Sequence, residues 1–194
     1  MRKAVLVLLG AAVMMVAAVG SAGAQNIGVG VEYTGSSVTP DMLLPIKLGD
    51  GSLILEPIVG LSIISVDDPD EGSSFSAGTD QFGFTEEGTQ FRVGLGLEKQ
   101  TDPGNTSPLF GGFARVHLTS PESDNVDSWT DFVFGVYLGG VASLTDNMEI
   151  QGFWGPTFTM FGEKTDSDGD VFSPSVTRID SRAGFKLRWF VFGS

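Results

Sequence analysis

Few residues in this chain can do nucleophilic or acid–base chemistry. There is one histidine, His117, and no cysteine among 194 residues. The missing thiols exclude a disulfide framework, a cysteine metal knuckle and a cysteine nucleophile. His117 shares its strand parity with Arg115, and no serine neighbours it on that face. A catalytic imidazole needs such a partner to polarise or deprotonate, so His117 is expected to be structural. Asp166-Ser167-Asp168-Gly169-Asp170 places carboxylates at alternate positions, as calcium loops do. The later glutamate of an EF-hand loop is absent, so the segment reads as an acidic surface loop. Asp67-Asp68-Pro69-Asp70-Glu71 reads the same way.

The remaining charged groups fall on a pattern with a period of two, the signature of strands with distinct faces. Ile27, Val29, Val31 and Tyr33 alternate with Asn26, Gly28, Gly30 and Glu32. Phe91, Val93, Leu95 and Leu97 alternate with Arg92, Gly94, Gly96 and Glu98. The same alternation predicts eight strands, over residues 26–34, 41–48, 52–65, 89–99, 108–119, 129–144, 148–161 and 176–192. Their connections alternate in length. Gly49-Asp50-Gly51, 100–107 and Thr145-Asp146-Asn147 are short or moderate, while 35–40, 66–88, 120–128 and 162–175 are long. Short turns at one end and long loops at the other are the connectivity of a membrane barrel.

One face of these strands collects the charge. Glu32, Glu56, Glu98, Asp131, Glu149 and Asp180 share it with Lys47, Arg92, Arg115, Arg178, Arg182, Lys186 and Arg188. Acids and bases nearly balance, as an enclosed lumen requires because an unpaired buried charge is costly. Glu56 with Arg115, Arg178 and Arg182 is expected to form a salt-bridge network there. The same face carries Gly28, Gly30, Gly94, Gly96, Gly135, Gly139 and Gly184, small residues that suit a narrow interior. The long links with their flanking residues (Thr34–Asp41, Ser65–Gly88, Ser120–Thr130 and Glu163–Ser175), by contrast, hold 15 of the 24 acids against one lysine. Pro45, Pro57 and Pro156 fall inside predicted strands and imply bulges or strand ends. Ile54 and Ile58 make one strand apolar on both faces, and Trp154 falls in mid-strand rather than in an interfacial belt. The fold expected is all-β: an eight-stranded antiparallel up-and-down transmembrane β-barrel.

Composition agrees. The net charge of −13 argues against nucleic acid, and 18% charged residues are too few for a charge-rich disordered chain. Arg2 and Lys3 precede an uncharged run to Ala24 that ends Ala22-Gly23-Ala24. Residues 1–24 therefore read as a secretory signal peptide, with 25–194 as the barrel domain. The longest later uncharged run, Phe132–Thr145, is shorter than the about 18 residues a membrane helix needs.

The last predicted strand contains Arg182-Ala183-Gly184-Phe185-Lys186-Leu187-Arg188-Trp189. It resembles the C-terminal assembly signal of bacterial outer-membrane barrels, through Arg182, Gly184, Leu187 and Trp189. Five residues follow Trp189, whereas that family usually stops at the aromatic residue. The whole chain resembles the small eight-stranded OmpA/OmpX-like group. That resemblance implies an outer-membrane location with both termini periplasmic, and contacts with outer-membrane lipid and lipopolysaccharide. It also implies handling by the barrel-assembly machinery, no cofactor and no enzymatic activity. The implied role is structural or adhesion-like, with acidic loops open to an extracellular partner. The alternatives are a narrow porin-like channel, a soluble lipocalin-like binding barrel and a lipid-modifying enzyme built on His117.

Overall fold

The computed structural model describes residues 24–34, 40–64, 88–101, 105–121 and 126–192. The expected leader lies outside these residues except for Ala24. So do the acidic run Asp67–Glu71 and the last two residues. Eight strands follow one another: β1 (Ala24–Thr34), β2 in two halves (Asp41–Leu43 and Ile46–Leu48), β3 (Leu53–Ile64), β4 (Gly88–Gln100), β5 (Thr106–Pro121), β6 (Trp129–Thr145), β7 (Met148–Phe161) and β8 (Val176–Phe192). Each pairs antiparallel with its sequence neighbour, and β8 pairs antiparallel with β1. The sheet is thus a closed eight-stranded up-and-down barrel, with no edge left to aggregate.

The alternation in the sequence becomes two surfaces. Outward-facing Leu61, Leu97, Phe110, Phe132, Phe134, Val136, Leu138, Trp154, Ile179, Phe185 and Trp189 are large and exposed. Their inward-facing neighbours Glu56, Glu98, Asp131, Gln151, Lys186 and Arg188 are buried. This is the inverse of a soluble barrel, and it suits a sheet whose exterior meets hydrocarbon and whose backbone groups pair around the ring. Trp154 is one of these outward residues, in the middle of β7 and 60% exposed.

The prolines act differently from one another. Pro45 divides β2, and the ladder is bridged around it by Gly28 N–H on the Pro45 carbonyl (2.8 Å) and Leu44 N–H on the Pro57 carbonyl (3.0 Å). Pro57 and Pro156 remain inside β3 and β7 without a register shift. In the β2–β3 turn, Gly49 and Gly51 have φ of 60° and 83°, which glycine adopts without strain. Asp50 closes that turn by accepting Ser52 N–H at 2.9 Å. The long link after β7 holds a small hairpin, Lys164–Thr165 paired with Val171–Ser173. It docks on the preceding long link through Asp127 N–H on the Thr165 carbonyl (2.9 Å), and on the start of β6 through Lys164 over the Trp129 ring.

The described start of β1 and end of β8 lie with the short turns. Phe190 N–H donates to the Asn147 carbonyl of the β6–β7 turn at 2.8 Å. The last strand runs past Trp189 to Phe192, so the residues after the assembly-like motif continue the barrel wall.

Candidate functional site

The lumen is filled by charged and aromatic side chains in layers from the turn end to the loop end. Strand alternation puts these residues inside, and antiparallel pairing sets their height.

At the turn end, Lys47 pairs with Glu149 and stands 4.2 Å over the Phe190 ring. Above it, Glu56 and Glu98 face Lys186 and Arg188. Arg188 Nε donates to Glu56 Oε1 at 2.6 Å and its Nη2 to Glu98, while Lys186 Nζ bridges both acids. Tyr137 O–H and Gln151 Nε2 also donate to Glu98, the latter at 2.9 Å. All four charged side chains are at most 2% exposed. Such a set is tolerable only because every charge meets a partner, since removing one leaves the rest uncompensated.

A belt of rings separates this layer from the next. Phe113, Tyr137 and Phe153 pack with Leu43, Ile58, Leu109, Val133 and Val141. Ile58, together with Ile54, explains the doubly apolar stretch of β3: both point inward and are buried.

Toward the loop end, Arg115 and Arg182 each donate to Glu32 Oε1 at 2.5 Å. Their guanidinium groups also lie 4.8 and 4.9 Å from the Phe113 ring centre. Arg115 further pairs with Asp41, which takes Arg92 Nε at 2.8 Å. Arg92 continues to Ser62 and Gln90.

The predicted partners are therefore rearranged. Glu56 does not meet Arg115, Arg178 or Arg182; its partners are Lys186 and Arg188. Strand tilt brings distant sequence heights level, which parity alone does not reveal. Arg178 and Asp180 stand outside the buried network as an exposed pair with each other, 38% and 43% accessible. Asp131 is buried but points to Gly162 N–H at 2.9 Å.

Asp41 was grouped with the acidic links, yet it is a buried lumen acid at the first residue of β2. The predicted strand 41–48 begins at the same residue. Tyr137, Gln90 and Gln151 also join the network, and their strand parity was the available sign. The C-terminal motif splits by parity: Arg182 and Gly184 face the lumen, and Leu187 and Trp189 face outward.

His117 points into the lumen, 4% exposed, opposite Arg92 on one side and Asp131 on the other. The Asp166 carboxylate accepts the N–H groups of Asp168 (3.1 Å) and Asp170 (2.8 Å), so it serves the turn itself. Among the described residues no cluster of three or more acids or histidines could hold a metal ion.

No protein-family model and no curated protein matches the chain. A solved outer-membrane protein of Thermus thermophilus is 18% identical over 86% of this chain and 98% of its own, with a TM-score of 0.40. The crystal structure of Neisserial surface protein A superposes with a TM-score of 0.50 at 11% identity, covering 86% of this chain and 95% of that one. At that identity the likeness is one of fold: the chain is similar to an eight-stranded outer-membrane barrel in architecture.

Proposed function

We propose that this chain is a bacterial outer-membrane barrel, delivered after cleavage of residues 1–24, with a structural or adhesion-like role at the cell surface. Its lumen is closed to solutes, and its long acidic links are the part that meets the surroundings. Both termini face the periplasm. Outer-membrane lipid and lipopolysaccharide contact the apolar exterior. The barrel-assembly machinery reads the last strand through Arg182, Gly184, Leu187 and Trp189. The reading is non-enzymatic, since His117 faces the lumen and not the lipid where a lipid-modifying site would lie.

One observation carries the closed-lumen reading. Glu56, Glu98, Lys186 and Arg188 form a paired set at most 2% exposed across the barrel, under a belt of aromatic rings. An eight-stranded interior is only just wide enough for such side chains. Solutes crossing it would have to separate charges that have no water to replace their partners.

Single-channel recording in planar bilayers tests this. The unaltered barrel should conduct little. Glu56→Ala leaves Arg188 and Lys186 sharing Glu98, and should raise conductance or lower the melting temperature in detergent. A change in neither would remove the closed-lumen reading.

A further inference from the structure

One place in the barrel wall leaves a backbone group without its ladder partner. β6 and β7 pair at Gly135↔Thr157 and again, in the same register, at Leu138↔Trp154, but not in between. The gap falls at Pro156, which has no N–H to give. The Val136 carbonyl is turned toward β7 there, since a Cβ added to Gly155 would run into it. The Pro156 carbonyl faces the other way, 2.8 Å from where a Cβ on Gly135 would stand. Of the two hydrogen bonds that such a pair exchanges, the one onto Val136 is therefore missing. Water takes up an orphaned carbonyl on a solvated strand, but hydrocarbon offers none.

The same spot is a groove in the outer surface. Phe110, Val136, Leu138, Trp154 and Pro156 line about 430 Å³. Trp154 is 60% exposed, and its indole N–H meets no acceptor among the described residues. From the Trp189↔Met148 pair near the turns to the Ala183↔Trp154 pair is six residues along β8. That is about 20 Å along the strands, or about 15 Å up a barrel whose strands tilt by about 40°. The apolar band of such a barrel is about 25 Å tall, so Trp154 and Val136 stand well inside it. An acyl chain can fill the groove, but it offers neither a donor nor an acceptor.

The wall beside the groove is flat. Pro108, Gly140 and Gly152 form one row across β5, β6 and β7. A Cβ on Gly152 would meet nothing within 4 Å, and one on Gly140 only the Ser107 carbonyl at 3.9 Å. The barrel's own packing does not demand these two glycines. Glycine inside a strand suits a place where another backbone comes close.

We propose that this face of β5, β6 and β7 docks a second copy of the chain within the membrane, the Trp154 indole N–H of each copy donating to the Val136 carbonyl of the other. A two-fold axis along the membrane normal makes the contact isologous and keeps both copies at one depth. An unmet donor and an unmet acceptor on one face then become two hydrogen bonds. The inference rests on the membrane reading above, but not on whether the lumen is closed.

Sedimentation equilibrium of the mature chain in an uncharged, density-matched detergent measures the self-association, over a range of protein-to-detergent ratios. Heat-modifiable gel migration verifies that each variant folds. The parent should form a saturable dimer. Trp154→Phe keeps a ring and removes the N–H, and should weaken the dimer about tenfold, the effect of two hydrogen bonds of the size found between membrane segments. Pro156→Ala returns an N–H to the ladder, so it should weaken the dimer by a similar factor without lowering the melting temperature of the monomeric barrel. The double variant should be no weaker than either single one, because both changes remove the same bonds. Gly152→Leu, on the open flat surface, should fold and not dimerise. Leu61→Ala, outward on β3 at the far side of the barrel, should dimerise as the parent does. A folded parent that stays monomeric at every ratio, undiminished dimerisation of Trp154→Phe or Pro156→Ala, or additive losses in the double variant would overturn the proposal. Recovery of the parent as a soluble protein would instead remove the membrane reading beneath it.

Discussion

The same kind of residue does different work here according to its surroundings. Glu98 accepts from Tyr137, Gln151, Lys186 and Arg188 inside the barrel. Asp180 meets Arg178 in the open. A buried pair broken on one side costs about 3–5 kcal/mol, whereas an exposed pair contributes at most about 1 kcal/mol. Glu98→Gln should therefore sharply lower the urea midpoint of the folded barrel in micelles. Asp180→Asn should leave it nearly unchanged. Equal effects would mean that the lumen charges are solvated. A smaller residue-scale prediction concerns the β2–β3 turn. The Ser52 hydroxyl and N–H groups hold the Asp50 carboxyl below its ordinary range. A depressed carboxyl pKa contributes above the unfolded value of about 3.9 and is lost as pH falls through the folded one. Protection of the Ser52 amide, corrected for intrinsic exchange, should therefore fall on acidification below about pH 4. Asp50→Ala should lack that protection at every pH.

At the scale of elements, the inward glycines are positions where strands and rings must approach. Gly111 on β5 faces Tyr137 on β6, and an added Cβ would lie 2.7 Å from the tyrosine ring. The ring cannot simply swing away, because its hydroxyl is tied to Glu98 and Lys186. Gly111→Ala should cost about 1–3 kcal/mol of barrel stability, the usual range for overpacking. Tyr137→Leu in that background should recover part of the loss, although Tyr137→Leu alone is destabilising. Thermal melts of the two single variants and the double variant check this, and additive losses would refute a steric cause. The broken β2 strand shows the opposite case. Pro45 interrupts the ladder, and neighbouring strands meet the gap with their own N–H and carbonyl groups.

For the whole molecule, the decisive property is inversion. A soluble barrel of these dimensions would place its apolar face inside; here the exterior carries the large apolar side chains and the interior the charge. The protein should fractionate with the outer membrane and migrate faster on gels unheated than boiled. A soluble periplasmic pool would contradict the membrane reading. The negative charge also divides by place. The described lumen is nearly neutral, while most of the acids belong to the links between strands at one end.

Much of this was legible in the chain. A period of two decides which side chains share a face, so the eight strands, the polar lumen and the inward direction of His117 follow from alternation alone. Strand limits shifted by only a few residues, and the assembly-like motif lies in the closing strand. Parity says nothing about height, however. Which acid meets which base depends on strand tilt and stagger, set when the barrel closes. For that reason Glu56 met Lys186 and Arg188 in place of Arg115, Arg178 and Arg182, and Arg178 and Asp180 fell outside the network. Asp41, counted with an acidic link although it opens a predicted strand, lies inside the barrel between Arg92 and Arg115. The sequence alone determined the faces, through the alternation of the extended backbone. Only the tertiary structure decided the partners, because they come from strands far apart in the chain whose relative height is fixed by closure.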